Sequence, residues 1–329
     1  MTTGLRWALI GASTIARERI VAAIRAAGGN IVAVQSGNLE RAEAFAADFA
    51  LPLATQHLAE AVANADAVYI SSTNAQHCAQ TLQALDTGCH VLCEKPIAID
   101  LADARRMIAA AGAAGRILAV NHHLRHNAVH RKIRDCIVSG QIGTPRAVII
   151  SNAGWLPGHL RGWRLSGPGA GIVLDKTVHD IDLLRFLLAS DPRSVSAAFS
   201  GPNGEPPHAI MGILDFGPTL SAQFHDDFDA PFGQTRLEVI GDAGRLIAED
   251  CLSGRPAGSL TLHDQSGPHI LSIAHHDPYA ALIDNFQQAA RNGAPIAASG
   301  RDGAIALATA LAAIQSATTG SRTQIENLP

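Results

Sequence analysis

Three residues have the types and the spacing that acid–base chemistry needs. Lys95 lies in "HVLCEKPIAID", directly after an apolar segment, and Asp175 and His179 lie four residues apart in "GPGAGIVLDKTVHDID". This spacing places two side chains on the same face of a helix, where a carboxylate can orient an imidazole for proton transfer. A lysine at the end of a buried strand is well placed to meet a ligand. The residues predict acid–base catalysis; the alternatives are a surface turn at Lys95 and an ordinary helix contact between Asp175 and His179.

A histidine-rich segment, "NHHLRHNAVH", raises the question of a metal site. His122 and His126 are four residues apart. Zinc sites of the HExxH type need a glutamate beside the first histidine and a third ligand, and the glutamate is absent here. We therefore expect no metal, and we expect His122, His123 and Arg125 to line a substrate cleft.

The loop "WLPGHLRGWRL" contributes side chains that combine a polar tip with a flat apolar body. They are His159, Trp163 and Arg164. Such residues suit a sugar, because sugar ring faces stack on aromatic side chains and sugar hydroxyls need directed hydrogen bonds. The alternative is a loop that a tryptophan anchors to the protein surface.

The segment "RWALIGASTIARERI" has the form of a strand, a turn of small residues and a helix. In dinucleotide sites three glycines shape this turn. Gly11 keeps the first position, whereas Ser13 and Ala16 occupy the other two with small side chains. The helix N-terminus still offers backbone amides to a phosphate. The segment predicts a nucleotide site, with a corner that binds no ligand as the alternative.

The end of the second predicted strand indicates which nucleotide binds. NAD sites place an acidic residue there to bind the ribose hydroxyls, but this chain has Ser36, followed by Arg41. A carboxylate would repel the 2′-phosphate of NADP, whereas a hydroxyl and a guanidinium would bind it. The sequence therefore favours NADP (NADPH). If Arg41 is an ordinary solvated helix residue beside Glu40, NAD remains open.

Two kinds of domain must position these residues. In residues 1–121, short apolar segments alternate with helical patterns, which predicts a doubly wound parallel sheet of the Rossmann type. Residues 122–329 contain successive strand-like segments with short turns, which predicts a substrate-binding α+β domain with a mostly antiparallel open sheet. The predicted strands are residues 7–10, 31–35, 68–71, 90–93, 117–121, 146–152, 194–199, 209–216, 220–225, 236–240 and 260–263. The predicted helices are residues 41–49, 75–86, 101–113, 125–138, 175–188, 278–292 and 302–317.

The bulk properties of the chain narrow the classes of partner. The 329 residues are 47% apolar and have a net charge of -4, which gives no reason to expect a nucleic acid. No apolar run reaches the roughly 18 residues that a bilayer crossing needs, so we expect no membrane partner. Five cysteines without a CxxC pair favour reduced thiols and a cytoplasmic location. A monomer and a homo-oligomer both remain open.

Taken together, these motifs resemble the Gfo/Idh/MocA family of nicotinamide-dependent sugar oxidoreductases. The specific marks are "EKP" after the fifth predicted strand and "GAGIVLDKTVHDID", and the resemblance extends from about residue 5 to about residue 318. It implies NADPH as the hydride donor and a catalytic set of Lys95, Asp175 and His179. It also implies a sugar near six residues: His122, His123, His159, Trp163, Arg164 and, at a late helix start, Tyr279. The implied cofactor contacts are Gly11, Ser13, Thr14, Ile15, Ala16, Ser36, Arg41, Ser71, Thr73, Asn74, His77, Glu94, Lys95 and Asn121.

The function that these residues and the resemblance predict is the reduction of a sugar ketone by NADPH. Further motifs, among them "GASTIARE", "NHHLR" and "AQFHDDF", carry a closer resemblance to one group within the family. That resemblance implies 1,5-anhydro-D-fructose as the substrate and 1,5-anhydro-D-mannitol as the product. His179 is expected to act as the general acid, with Lys95 as the alternative proton donor. Two other functions remain open: an NAD(P)-dependent dehydrogenase for another sugar or polyol, and a nucleotide-binding regulator without catalysis.

Overall fold

The computed structural model describes residues 4–200 and 206–328, which form two compact units. The first unit comprises residues 4–121 together with residues 279–304, and the second comprises the other described residues. The sequence predicts two continuous domains that divide after residue 121. The structure differs because residues 279–304 cluster with the first unit, where their apolar side chains join its core.

The first unit contains a six-stranded parallel sheet. Its strands are β1 (Arg6–Ile10), β2 (Asn30–Gln35), β3 (Ala54–Thr55), β4 (Ala67–Ile70), β5 (His90–Cys93) and β6 (Leu118–Val120). The spatial order is β3-β2-β1-β4-β5-β6, and every pair is parallel. This order reverses direction between β1 and β4, which is the topology of a doubly wound dinucleotide-binding fold. The predicted fold class of this part is confirmed.

The chain forms ten α-helices in the described residues. They are α1 (Val21–Ala26), α2 (Leu39–Phe49), α3 (Leu58–Val62), α4 (His77–Asp86), α5 (Leu101–Ala114), α6 (Ala128–Val138), α7 (Gly158–Arg161), α8 (Val178–Leu188), α9 (Pro278–Asn292) and α10 (Gly300–Thr319). Five short turns of 3-10 or π helix accompany them: Ala16–Ile20, Asn74–Gln76, His123–His126, Trp163–Leu165 and Val173–Thr177. The starts of α2 and α5 are capped by Asn38 and Asp100, whose side chains accept hydrogen bonds from backbone amides three residues on.

Helix α9 packs in the core of the first unit. The ring of Phe286 lies 5.1 Å from that of Trp7 on β1, and both side chains are fully buried. Ile283, one turn earlier on the same face, is fully buried too. The apolar face of α9 thus covers one side of the parallel sheet, and a parallel sheet needs such cover on both faces.

The second unit contains a nine-stranded sheet. Its strands are β7 (Pro145–Ala153), β8 (Ser194–Ser200), β9 (Ala209–Asp215), β10 (Ser221–Asp227), β11 (Thr235–Gly241), β12 (Arg245–Glu249), β13 (Ser259–Asp264), β14 (Gly267–Ile270) and β15 (Thr323–Gln324). The order is β14-β13-β12-β11-β7-β10-β9-β8-β15, and only β7 and β10 pair in parallel. The predicted α+β unit with a mostly antiparallel sheet is confirmed. None of the helices in the described ranges combines the length and apolarity that a bilayer crossing requires.

Candidate functional site

The predicted cofactor residues of the first unit follow five strands at one edge of the sheet. Gly11, Ser36, Ser71, Glu94 and Asn121 come directly after β1, β2, β4, β5 and β6. Backbone hydrogen bonds of 2.8–3.1 Å link each of these residues to the end of a neighbouring strand. Ligands of open α/β sheets bind outside the carboxyl ends of the strands, near the point where the strand order reverses. The geometry therefore gathers these residues where such a fold binds its ligand.

The turn after β1 needs a glycine. Gly11 has a φ of +106°, and a Cβ added there would lie 2.8 Å from the carbonyl carbon of Ser71. The Ser13 hydroxyl accepts a hydrogen bond from the amide of Ala16 and donates one to the Ser71 hydroxyl over 2.8 Å. Ala16 is fully buried, so its small side chain lets the helix pack closely on the sheet. Gly11 and Ala16 thus do structurally what the first and third glycines of the motif do.

The helix after this turn begins at Thr14 and Ile15. The first amides of a helix lack partners within the helix and favour an anion. Thr14 and Ile15 thus lie where a phosphate would meet those amides.

The end of β2 presents a hydroxyl and a nearby guanidinium. Ser36 is buried, and its hydroxyl accepts a hydrogen bond from the amide of Asn38 over 3.3 Å. Arg41 lies exposed in the first turn of α2, where its backbone amide donates to the side chain of Asn38. The acidic residue in this first turn is Glu40, and the residue directly after β2 is a serine. No carboxylate therefore occupies the strand end at which NAD sites usually place one.

The segment after β4 contains three further residues that are predicted to contact the cofactor. Thr73 is exposed, and Asn74 is buried at the start of a short 3-10 turn. His77 is fully buried, and its two ring nitrogens lie 2.8 Å from the carbonyl oxygen of Pro96 and 3.3 Å from that of Ser72. The ring of His77 thus contacts the segment after β5, and a contact between His77 and the cofactor stays a prediction.

A partly buried carboxylate, that of Glu94, lies next to Lys95. Glu94 accepts hydrogen bonds from the Tyr69 hydroxyl, from the Asn121 side-chain amide and, over 3.3 Å, from the backbone amide of Lys95. Burial raises the pKa of Glu94, while the Tyr69 hydroxyl and the charge of Lys95 oppose that rise. The Lys95–Pro96 peptide bond is cis. Glu94 thus connects Tyr69 near the end of β4 with Asn121 after β6 and with the backbone of Lys95. The sequence did not reveal that Tyr69 takes part in this contact.

In the second unit, Asp175 is held by an arginine. Asp175 lies in the π-helical turn that precedes α8, and its side chain is 11% exposed. Arg164 donates from Nε to Asp175 Oδ2 over 3.0 Å. The backbone fixes the same loop, because the Gly171 amide donates to the carbonyl oxygen of Arg164 over 2.7 Å. The predicted sugar-binding residue Arg164 is therefore attached to the predicted catalytic carboxylate.

Two further histidines surround His179. The ring of His123 lies 5.0 Å from that of His179 and meets it edge to face, at an interplanar angle of 78°. The ring of His122 lies 5.9 Å away at 82°. His122 is 1% exposed and His123 is 8% exposed. The structure thus brings together three predicted site residues from two separate segments: His122, His123 and His179.

Arg125 has a different role from the one predicted. Its guanidinium donates two hydrogen bonds, of 2.7 Å and 2.6 Å, to the carboxylate of Asp182 on α8, and both residues are buried. The prediction that Arg125 lines a cleft is corrected, because a buried bidentate ion pair occupies its guanidinium. His122 lies 3.6 Å from the same carboxylate. This ion pair anchors the histidine segment to the helix that contains His179.

The side chains of His159 and Trp163 lie outside the described part of the structure. Tyr279 belongs to the first unit, where it is 5% exposed and packs in the core. Burial lowers the pKa of His126 to about 3, which leaves the ring neutral. Among the described residues, no group of three or more His, Cys, Asp or Glu side chains is arranged to hold a metal ion.

Sequence reasoning missed a buried polar cluster beside α8. Asp180 and Asp226 are both fully buried, and Lys176 donates from Nζ to the carbonyl oxygens of Asn152 and Asp227 over 2.9 Å and 3.1 Å. Burial raises the pKa of each aspartate. The alternation of side chains along β10 could have indicated the burial of Asp226. Asp226 lies on the same face of the strand as the buried residues at positions 222 and 224.

Two family models match the chain. The Gfo/Idh/MocA model described as "Oxidoreductase family, NAD-binding Rossmann fold" matches residues 5–122. The model described as "GFO/IDH/MocA C-terminal domain" matches residues 130–247. Together they cover more than half of the chain, and each falls on the part of the sequence from which one of the two sheets is built.

Individual relatives agree with the family models. The 1,5-anhydro-D-fructose reductase of Ensifer adhaerens is 43% identical over 328 residues, which covers 98% of both chains. The inositol 2-dehydrogenase of Rhizobium meliloti (strain 1021) is 29% identical and covers 95% of this chain and 96% of its own. The crystal structure of an aldose-aldose oxidoreductase from Caulobacter crescentus superposes with a TM-score of 0.90 at 22% identity, over 98% and 99% of the two chains. At that identity the superposition shows the fold alone.

Proposed function

Because the chain belongs to the Gfo/Idh/MocA family of NAD(P)-dependent sugar oxidoreductases, we propose that it reduces the ketone of a sugar with NADPH. The proposed substrate is 1,5-anhydro-D-fructose and the proposed product is 1,5-anhydro-D-mannitol. The observation that supports this choice most strongly is the 43% identity to a 1,5-anhydro-D-fructose reductase along 98% of both chains. The inositol dehydrogenase relative is less similar, at 29%.

The residues at the carboxyl edge of the parallel sheet fit a nicotinamide nucleotide. The turn after Gly11 and the helix that follows suit the phosphates, and Ser36 with Arg41 suits a 2′-phosphate. Asn121 Oδ1 is buried, and no described residue donates a hydrogen bond of standard geometry to it, so it offers an acceptor to a ligand. When bound, the reduced nicotinamide supplies the hydride that the carbonyl carbon receives.

The remaining cofactor contacts are proposed from position and from the family resemblance. Ser71, Thr73, Asn74 and Glu94 follow β4 and β5 at the same edge, and Thr14 and Ile15 begin the first helix. The absence of an acid at the end of β2 is what favours NADPH over NADH. A residue with a carboxylate at that place would repel the extra phosphate.

Three side chains share the proton and charge chemistry of the proposed reaction. His179 donates a proton to the oxygen that becomes a hydroxyl, because an imidazole is the side chain whose proton affinity suits neutral pH. Asp175 orients His179, and Arg164 holds Asp175 through the 3.0 Å hydrogen bond. Lys95 stabilises the negative charge that develops on the oxygen. In the alternative assignment Lys95 donates the proton.

The sugar-binding residues of the proposal come mainly from the loops of the second unit. His123 and His122 contact the ring of His179, so a sugar held by His179 would meet them as well. Arg164, His159 and Trp163 belong to the segment between β7 and the turn that contains Asp175. Tyr279 is proposed on family resemblance alone.

The experiment that tests the proposal is an assay of nucleotide oxidation with purified protein. NADPH with 1,5-anhydro-D-fructose is expected to turn over, and the product is identified by its stereochemistry as 1,5-anhydro-D-mannitol. The same protein is assayed with NADH, and in the oxidative direction with NAD and myo-inositol. Faster turnover of inositol with NAD than of the anhydro sugar with NADPH would support a polyol dehydrogenase instead.

Variants separate catalysis from nucleotide binding. Lys95→Met and His179→Asn are each expected to lower kcat by about a hundredfold or more, while the quenching of protein fluorescence by NADPH is retained. Lys132→Met, in α6, replaces a lysine that has no part in the proposed site and should keep full activity. NADPH binding without turnover of any carbonyl sugar in the wild type would instead favour a regulator.

A further inference from the structure

Two carboxyl groups lie together, buried, beside the helix that contains His179. Asp180 on α8 and Asp226 on β10 have no exposed surface. The side-chain amide of Asn152 donates to Asp180 Oδ1 over 3.2 Å, and Asn152 is also the residue opposite Asp226 in the parallel pairing of β7 and β10. The two carboxyl groups are close enough to form a hydrogen bond with each other if one of them is protonated.

Few donors lie near the two carboxyl groups: the Asn152 amide donates to Asp180, and the Thr177 hydroxyl lies beside Asp226. Among the described residues, no hydrogen bond of standard geometry reaches Asp180 Oδ2 or either oxygen of Asp226. The ammonium of Lys176 faces the cluster, but it donates to two backbone carbonyl oxygens. Burying a second negative charge without a donor is strongly unfavourable, whereas one proton turns the pair into a strong acid–carboxylate hydrogen bond.

The pair is joined to the proposed catalytic residues by the helix itself. Asp175 and His179 are four residues apart, and Lys176 and Asp180 follow each of them by one position. Asp175 and His179 therefore lie on one face of this helical segment, and Lys176 and Asp180 lie on the adjacent face. The face with Lys176 and Asp180 is fixed to the sheet through Asn152 and Asp227. Rotation of this segment on the sheet would move both Asp175 and His179.

We propose that Asp180 and Asp226 share one proton in the folded protein, and that this pair positions the helical segment that presents Asp175 and His179. The two aspartates are positioning residues, since neither is assigned a contact with substrate or cofactor. The positioning half of the proposal rests on the proposed function, whereas the shared proton does not.

The direction of the pH dependence follows from the groups around the pair. Burial is the main cause that raises the pKa of both aspartates, and the charge of Lys176 opposes the rise at each. His225 acts on Asp226 in the same sense, and the Thr177 hydroxyl also lowers the pKa of Asp226. The other charged groups that face this cluster are Asp175 and Asp227, beside Lys176, and the buried thiol of Cys251, beside Asp180.

The folded protein keeps a proton that the unfolded chain loses above a pH of about 4. The contribution of the pair to stability is therefore complete below that pH and is lost as the pH rises through the folded-state pKa.

The test compares Asp180→Asn and Asp180→Leu with the wild type by urea denaturation at a series of pH values and by steady-state kinetics. An asparagine amide can replace the shared proton as the donor to Asp226. Asp180→Asn should keep kcat within about threefold, and its free energy of unfolding should fall less steeply with pH, by about one proton. Asp180→Leu leaves Asp226 without its donor and should lower kcat by about tenfold or more, with NADPH binding unchanged.

Asp226→Asn is the second variant, and it should show the same loss of one proton as Asp180→Asn. Asp86→Asn, an exposed aspartate at the end of α4, is the control and should leave the pH dependence as in the wild type. Parallel pH profiles for the wild type and both asparagine variants would overturn the shared proton. Full kcat in Asp180→Leu would overturn the positioning role. A wild type that reduces no sugar would overturn the proposed function, while the urea profiles would still decide the shared proton.

Discussion

Arg164 donates a hydrogen bond to the carboxylate of Asp175, with 3.0 Å between Nε and Oδ2. The pair joins the loop that follows β7 to the turn that leads into α8. A carboxylate held by a guanidinium keeps its charge and has little freedom to turn. Asp175 can therefore orient a neighbouring imidazole without moving itself, which is what the proposed role of His179 requires.

Replacing Arg164 should lower turnover, because Arg164 holds the carboxylate of Asp175. Arg164→Lys keeps the positive charge but loses the Nε donor, and we expect kcat to fall by about tenfold, equivalent to about 1.4 kcal/mol. The pH profile of kcat should also shift, because Asp175 loses a fixed partner. Steady-state kinetics with NADPH and 1,5-anhydro-D-fructose measure both effects.

The matched control for this prediction is Arg161→Lys. Arg161 lies in the same loop, but its guanidinium binds Asp229 and not Asp175. Its kinetics should stay close to those of the wild type. Equal losses in both variants would mean that Arg164 supports only the loop.

Arg41 should determine the preference between the two nicotinamide nucleotides. Arg41→Ala removes the exposed guanidinium near the end of β2, and we expect the KM for NADPH to rise by about tenfold or more while the KM for NADH changes little. Ser36→Asp should go further and favour NADH, because the new carboxylate repels the 2′-phosphate. The ratio of kcat/KM values for the two nucleotides measures the preference.

Arg131→Ala is the control for Arg41. It removes an exposed arginine on α6, in the other unit, and makes the net charge more negative by the same amount. If the nucleotide preference shifts in Arg131→Ala as much as in Arg41→Ala, the effect is general electrostatics and Arg41 does not contact the phosphate.

Glycine at position 11 should be required for folding of the nucleotide turn. Gly11→Ala adds a Cβ that would lie 2.8 Å from the Ser71 backbone, at a φ of +106° that side chains rarely adopt. We expect a loss of about 1–3 kcal/mol in the free energy of unfolding and weaker NADPH binding. Gly112→Ala, inside α5 with no atom within 4 Å of the added Cβ, should be neutral or stabilising. A Gly11→Ala protein as stable as Gly112→Ala would contradict the assignment of the turn.

Acid should destabilise the second unit through a buried histidine. His130 is fully buried, and burial lowers its pKa to about 4. Below a pH of about 6.5 the histidine binds a proton in the unfolded chain but not in the folded protein. The contribution of neutral His130 to the free energy of unfolding is therefore complete above that pH and is lost as the pH falls toward 4. In His130→Gln the free energy of unfolding, measured by urea denaturation, should fall less steeply between pH values of about 6.5 and 4. His57→Gln, which replaces an exposed histidine, should leave this pH dependence unchanged.

The parallel sheet was predictable because its strands are apolar throughout and alternate with helices. The strands that the sequence did not predict owe their structure to neighbours. β12 has only three apolar residues between Arg245 and Glu249, and β14 contains both a glycine and a proline. Each forms because an adjacent strand supplies hydrogen-bond partners, which no local pattern records.

The catalytic pair was visible in the sequence because Asp175 and His179 are four residues apart. The groups that hold them were not. Arg164 lies in a different segment from Asp175, and Asp226 is 46 residues from Asp180. Pairs of this kind arise from the register of β7 with β10 and from the path of a loop, and a single sequence does not reveal either.

The measurement that tests the account most directly is the rate of NADPH oxidation with 1,5-anhydro-D-fructose in the wild type and in His179→Asn, alongside NADPH binding in both. We predict sugar-dependent oxidation in the wild type, at least about a hundredfold less in His179→Asn, and equal NADPH affinity. A wild type that binds NADPH but oxidises it with no carbonyl sugar, or a His179→Asn protein with full activity, would contradict the account.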